Sequence, residues 1–194
     1  RALKSLKKIG GKLIEIPYTK NISSFALKER IHQEATTPSN RQLILKRLIE
    51  AKNLSRFIEA HSPLSAIIAE KTFHVNKNGK KLEFDGFWSS SLTDSTLKGK
   101  PDIEILDINQ RLSNINDIFD VTTKPLIIDI DTGGKIEHLE INLKTIERSG
   151  ASAVIMEDKK GLKKNSLFGN EVKQQQAEIK EFTKKILASK KATT

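Results

Sequence analysis

The sequence predicts an α/β fold of the (β/α)8 TIM-barrel type, with only about the first four βα units present in this chain. Three observations predict it. Short β-rich runs alternate with helical patterns through most of the chain. The run Pro125–Asp131 is almost wholly apolar until its acidic end, the mark of a strand covered on both faces. Acidic pairs then close the third and fourth strands, Asp129 with Asp131 and Glu157 with Asp158, on the rim where barrels and open α/β sheets both carry their chemistry. Four strand–helix units in a row imply a parallel sheet with right-handed crossovers. No Gly-rich phosphate-binding fingerprint follows the first strand, which favours a barrel over a nucleotide-binding sheet.

The elements follow in order. Ser39-Asn40 open a helical segment with Leu45, Leu48 and Ile49 available for burial. The first strand is the run Arg56–His61, broken by Ser62-Pro63 and followed by a short helix over Leu64–Lys71. Asn76–Lys81 is a polar insert that reads as a hairpin or loop tip. The second strand, Phe84–Trp88, runs into a serine turn, Ser89–Ser91. Ile108, Leu112, Ile115 and Phe119 recur at helical spacing on one stripe, as do Ile136, Leu139, Leu143 and Ile146, and Gly150 stops that second helix. Ala153–Met156 is the fourth strand, and Val172, Ile179, Phe182 and Ile186 stripe the last helix.

Composition narrows the class. The 194 residues carry a formal net charge of +10 and no Cys, which excludes disulfides, thiolate metal sites and cysteine nucleophiles. No apolar run approaches a bilayer span and nothing near Arg1 resembles a signal peptide, so a cytoplasmic protein without a membrane partner is expected. The positive charge sits at the two ends, and the middle, 31–158, is net negative and holds the only Trp. That distribution does not suit a nucleic-acid binder, and solvated helix faces account for most of the lysines. A non-catalytic basic interaction module is the rival class.

Asp129, Asp131 and Glu157, brought together at neighbouring strand ends, would repel one another in a partly dry pocket unless a cation sat among them. Carboxylates without Cys favour Mg²⁺ over zinc; the other reading of Asp-x-Asp is a pair of helix caps. Beyond Glu157, Lys159, Lys160, Lys163, Lys164 and Asn165 form either a solvated loop or the cations and amide that a phosphoryl or carboxylate group needs. Trp88 and the serine turn end their strand on the same rim, where the plain alternative is a core aromatic and an ordinary turn.

Taken together these segments resemble the phosphoenolpyruvate mutase branch of the phosphoenolpyruvate mutase/isocitrate lyase superfamily, from about Arg41 onward. The residues that carry the likeness are Glu59-Ala60-His61 with Leu64-Ser65-Ala66, Phe84–Trp88 with Ser90 and Leu92, Gly99-Lys100-Pro101-Asp102, Asp129–Gly133, and Glu157-Asp158-Lys159 followed by Lys163–Leu167. The resemblance implies Asp129 as the direct Mg²⁺ ligand, with Asp102, Asp131 and Glu157 holding metal-bound waters. It implies Trp88, Ser90 and the Ser91-Leu92 backbone as the pocket for the pyruvyl carboxylate and oxyanion. Lys163 and Asn165 are implied as phosphoryl contacts, and Asp102 as the carboxylate beside the migrating group. The implied reaction interconverts phosphoenolpyruvate and phosphonopyruvate, the first step of phosphonate biosynthesis, in an enzyme that is a homo-oligomer when full length.

Phosphonopyruvate hydrolase shares the Lys-x-Asn-Ser pattern of Lys163–Ser166 and is the alternative activity. The lyase branch carries a cysteine in this loop and is disfavoured. Ser62-Pro63 and Ser91 depart from the Asn-Gly and Gly usual in the family. Residues 1–36, with Lys12–Ser24 at their centre, look like the end of a cytidylyltransferase-type domain, so the expected organisation is a nucleotidyltransferase remnant at 1–36 ahead of a half barrel at 37–194. A complete barrel takes about 250 residues, and four units alone are expected to turn over poorly.

Overall fold

The computed structural model describes residues 10–11, 37–161, 163–164 and 173–193. The chain divides into two compact units, Arg1–Ile31 and His32–Thr194, and every element below lies in the second. The nucleotidyltransferase-like tail, apart from residues 10–11, falls outside the described residues, as do Asn165 and Val172.

The order is α1 (Pro38–Ala51), β1 (Phe57–Glu59), α2 (Pro63–Lys71), β2 (Phe73–Val75), β3 (Lys81–Glu83), β4 (Gly86–Ser89), α3 (Ser91–Leu97), α4 (Ile108–Val121), β5 (Leu126–Asp129), α5 (Ile136–Ser149), β6 (Ala153–Ile155) and α6 (Ile179–Ala192). Strands β1, β4, β5 and β6 form one parallel sheet in that order, while β2 and β3 pair as an antiparallel hairpin. The expected α/β architecture and its four βα units are both present.

Local chemistry explains the boundaries. Ser62 and Ser65 form a reciprocal capping box at the start of α2, with Pro63 in the first turn, where its missing N–H costs nothing. Asp107 caps α4 by accepting from the N–H groups of Asn109 and Gln110 at 2.9 and 3.0 Å. Gly150 ends α5 at φ 99°, and a Cβ there would lie 3.0 Å from Pro38 of α1. The insert is a hairpin whose turn is built by Asn76, its side chain accepting from the N–H groups of Asn78 and Lys80.

Register assigns the two faces. Ile58, Phe87, Leu126, Ile128 and Val154 point to one side, against Ile115, Ile118 and Phe119 of α4, Ile146 of α5 and Ala66 of α2. Phe57, Glu59, Trp88, Ile127, Asp129 and Ile155 point to the other, which no described helix covers; Trp88 is 36% exposed and Ile155 44%. Burial on both faces, expected from the Pro125–Asp131 run, holds nearly throughout β5, where Ile127 alone is half-buried, but not for β1, β4 and β6, because the described helices pack on one side only.

The last helix differs more. No residue of α6 is buried, and Ile179 of the expected stripe is 85% exposed, because the extensive packing of α6 among the described residues is against α5 alone. A short helix, α3, also begins at Ser91, inside the expected serine turn. Among the described residues no helix is long and apolar enough to cross a membrane.

Candidate active site at the carboxyl rim

The carboxyl ends of β4, β5 and β6 are drawn together by their own backbones. The Ile130 N–H donates to the carbonyl of Ile155 at 2.9 Å, and the Glu157 N–H to that of Asp131 at 2.7 Å. These two bonds extend the ladder past the strands, setting Asp131 and Glu157 side by side. Asp102 comes from the loop between α3 and α4, and Lys163 from the loop after β6.

At the centre is the Lys163 ammonium. It lies 2.9 Å from Asp102 Oδ2, 3.1 Å from Asp131 Oδ1, 3.6 Å from Glu157 Oε1 and 2.9 Å from Ser91 Oγ. Ser91 Oγ in turn donates to Asp129 Oδ2 at 2.9 Å, which joins the fourth carboxylate to the group. Ser91 thus supplies a hydroxyl between cation and carboxylate. Lys163, Asp102, Asp129, Asp131 and Ser91 are all buried, and Glu157 is half-buried, its buried Oε2 lying 2.6 Å from Lys159 Nζ.

Negative charge is in surplus here. Burial works against the Lys163 charge, yet its bond to Asp102 and the fields of Asp131 and Asp129 outweigh that and lift its pKa above the ordinary lysine value. Burial lifts the Asp131 carboxyl above its ordinary value; Ser91 and Lys163 pull it down without cancelling the effect. Asp102 Oδ1 is buried without a hydrogen-bond partner, and Asp102 Oδ2 meets the ammonium as an ion pair without hydrogen-bond geometry. Buried oxygens left in this state are groups a cation or a donor would satisfy.

The strand ends are braced from below by Arg111 of α4. Its Nε donates to Asp94 Oδ2 at 2.8 Å, Nη1 to the Asp129 carbonyl, and Nη2 to Ser89 Oγ at 3.2 Å. A second brace is Glu104, which accepts from Thr132 Oγ1 at 3.0 Å and from the Lys163 N–H at 3.0 Å. Lys185 of α6 reaches the same place, donating to the Thr132 carbonyl at 2.7 Å.

The structure therefore gathers Asp102, Asp129, Asp131, Glu157, Ser91 and Lys163 from the residues singled out in the sequence. Trp88 stands on the same sheet face as Asp129, level with Ile127, and is partly exposed. Ser90 is buried as the residue before α3, and Leu92 is half-buried within it. Arg111, Glu104 and Lys185 were not foreseen: the first reads as one more helix charge, and the other two reach the site only across long stretches of chain. Among the described residues no three acidic or histidine side chains are disposed around one point as metal ligands. Apart from the Lys163 ammonium, the groups gathered here offer only oxygen, with Asp102 Oδ1 unpartnered, a donor chemistry that suits a hard divalent ion such as Mg²⁺. A cavity of about 290 Å³ adjoins Glu104 and Asp131, whereas another of about 670 Å³ lies between α1, α5 and α6, away from these carboxylates.

The family model described as phosphoenolpyruvate phosphomutase matches residues 45–194. The chain belongs to that family. It is 35% identical over 147 residues to a phosphoenolpyruvate phosphomutase of Tetrahymena pyriformis, a match covering 75% of this chain and 45% of that protein. The crystal structure of a phosphoenolpyruvate phosphomutase from Streptomyces platensis subsp. rosaceus superposes with a TM-score of 0.67 at 32% identity, covering 79% of this chain and 50% of that one. A phosphonopyruvate hydrolase crystallised with oxalate and Mg²⁺ superposes at 0.63 and 30% identity, covering 79% and 48%. 2-Methylisocitrate lyases match more weakly. The chain spans about half the length of the relatives it matches.

Proposed function

We propose that this chain is half of the barrel of a phosphoenolpyruvate mutase, a Mg²⁺-dependent isomerase that moves a phosphoryl group between the enol oxygen of phosphoenolpyruvate and carbon 3 of the pyruvyl unit. The observation that supports the reading is the convergence of Asp102, Asp131 and Glu157 on one buried ammonium at the strand ends, with Asp129 joined to it through Ser91. In the forward direction the O–P bond breaks and a C–P bond forms, with no net gain or loss of protons or electrons. Mg²⁺, held by Asp129 with Asp102, Asp131 and Glu157 around it, would supply positive charge to the enolate oxygen.

The chain's own residues do the rest. The Lys163 ammonium, held charged by its carboxylate neighbours, faces the phosphoryl oxygens with Asn165, and Ser90 with the Ser91-Leu92 backbone orients the pyruvyl carboxylate beside Trp88. A loose, metaphosphate-like group needs fixed charge and exclusion of water more than covalent help. With this reading we propose a cytoplasmic small-molecule enzyme, homo-oligomeric when complete, with residues 1–36 the end of a nucleotidyltransferase-like domain.

Phosphonopyruvate hydrolase is the second reading, supported by the hydrolase relative and by Lys163-x-Asn165-Ser166. The absence of any cysteine argues against a lyase of the superfamily pattern. Phosphorus-31 NMR of the complete protein with phosphonopyruvate and Mg²⁺ separates the readings. The mutase yields phosphoenolpyruvate, the hydrolase yields free phosphate, and an unchanged spectrum overturns both.

A further inference from the structure

Two described residues other than glycine have positive φ, Glu104 at 60° and Asp131 at 54°. Asp tolerates this region; an extended side chain such as Glu is uncommon there, and such a backbone persists only where its surroundings over-determine it. Both residues grip the same lysine, at opposite ends. Asp131 Oδ1 takes the Lys163 ammonium at 3.1 Å, and Glu104 Oε1 takes the Lys163 backbone N–H at 3.0 Å. Glu104 does not stop there. Its Oε2 accepts from Thr132 Oγ1 at 3.0 Å and its Oε1 from the Thr132 N–H at 3.3 Å, on the turn that follows β5 directly after Asp131. One carboxylate from the α3–α4 loop therefore ties together the turn after β5 and the loop after β6.

We propose that Glu104 is the positioning residue for Lys163: it anchors the lysine's main chain to the Thr132 turn, at the place from which the ammonium reaches Asp102, Asp131 and Ser91. Beside it the main chain is held at Lys160, whose N–H donates to Gln175, and at Lys164, whose carbonyl accepts from Gln174; without the Glu104 anchor the described contacts of Lys163 itself are those of its ammonium, on a stem of four rotatable carbons. Glu104 touches neither the ammonium nor, on the reading above, any reacting atom, so it acts through Lys163. Its consequence for turnover rests on that reading. The anchoring itself does not.

Amide hydrogen exchange on the full chain tests it, by NMR or by mass spectrometry of peptides spanning 159–164. Glu104→Gly accepts the positive φ while removing the carboxylate. In this variant the Lys163 amide is expected to exchange about tenfold faster or more, while the amides of β5 keep their protection. Glu104→Gln keeps an acceptor oxygen and is expected to restore most of the protection. Thr132→Val removes one donor without touching the Glu104 backbone and is expected to loosen Lys163 less than Glu104→Gly does. Unchanged Lys163 exchange in Glu104→Gly overturns the proposal, and so does an equal rise across β5, which would mark a residue that merely supports the fold. A silent phosphorus-31 spectrum would remove the mutase reading and leave this exchange result standing.

Discussion

At the amino rim of the sheet Arg41 is 1% exposed, and apart from its Nε, which has no partner, its guanidinium is matched. It donates to the carbonyls of Phe119 and Thr122 at 3.2 and 3.0 Å, and its guanidinium stacks 3.9 Å above the Phe119 ring. Burial draws its pKa down to about 10, which still leaves it charged at neutral pH. Nearby, Asp85 accepts from the Arg56 N–H at 2.9 Å and pairs with Lys52. At the carboxyl rim, by contrast, three carboxylates share one buried ammonium and a fourth joins it through Ser91, one of their oxygens has no partner, and two backbones are held at positive φ. Charge at the first rim closes the fold. Charge at the second is left in excess, the condition that ligand-binding rims of barrels require and that stability alone would remove.

The sharpest way to break this contrast is Asp129→Ala in the complete protein. Turnover is expected to fall about a thousandfold or more, with the urea midpoint nearly unchanged; a variant that unfolds instead would make the two rims alike. Arg41→Met is the mirror experiment. It should cost about 3 kcal/mol of stability by leaving buried carbonyls unpaired, read from urea denaturation, while Mg²⁺ affinity measured by calorimetry stays as it was.

A smaller effect of opposite sign is expected at Asp102. Asp102→Asn removes one of the surplus charges and should raise stability by about 0.5 to 1 kcal/mol while abolishing turnover; a loss of stability would mean that its pairing with Lys163 outweighs the repulsion.

The mildest test is pH. The Lys163 pKa is raised above 10.5, so its contribution is whole below that value and disappears as pH climbs through the raised one. Burial tends to raise the Asp85 carboxyl, but the bonds from Lys52 and Arg56 prevail and hold it below 3.8, so its contribution is present above 3.8 and is lost as pH falls through the lowered value. Lys163→Met should therefore flatten the alkaline limb of a stability profile and Asp85→Asn the acid limb; the reverse pattern would exchange the roles of the two rims.

How far the sequence could be read follows from the range of the forces involved. The stripe Leu139, Leu143 and Ile146 is 1–3% exposed, as its spacing demands, because a helix between a sheet and solvent must bury one face. The equally regular stripe of α6 fails, since periodicity says which residues share a face and not whether a neighbour covers it. Asp102, on the α3–α4 loop, came only with the family resemblance, whereas Asp129, Asp131 and Glu157 were legible because they follow apolar strands. That Lys163 would lie inside their circle was not, since a lysine in a lysine-rich loop reads as solvated until Asp102 and Ser91, 61 and 72 residues earlier, are folded against it. Glu104 carried no local signal at all.

The β2–β3 hairpin stands outside this economy of charge. Its turn is closed by Asn76 alone, none of its six strand residues is buried, and it pairs only with itself. A peptide tag or fluorophore carried between Asn78 and Gly79 would accordingly ride on the molecule as a handle, leaving the packing of the parallel sheet and the chemistry of its far end as they are.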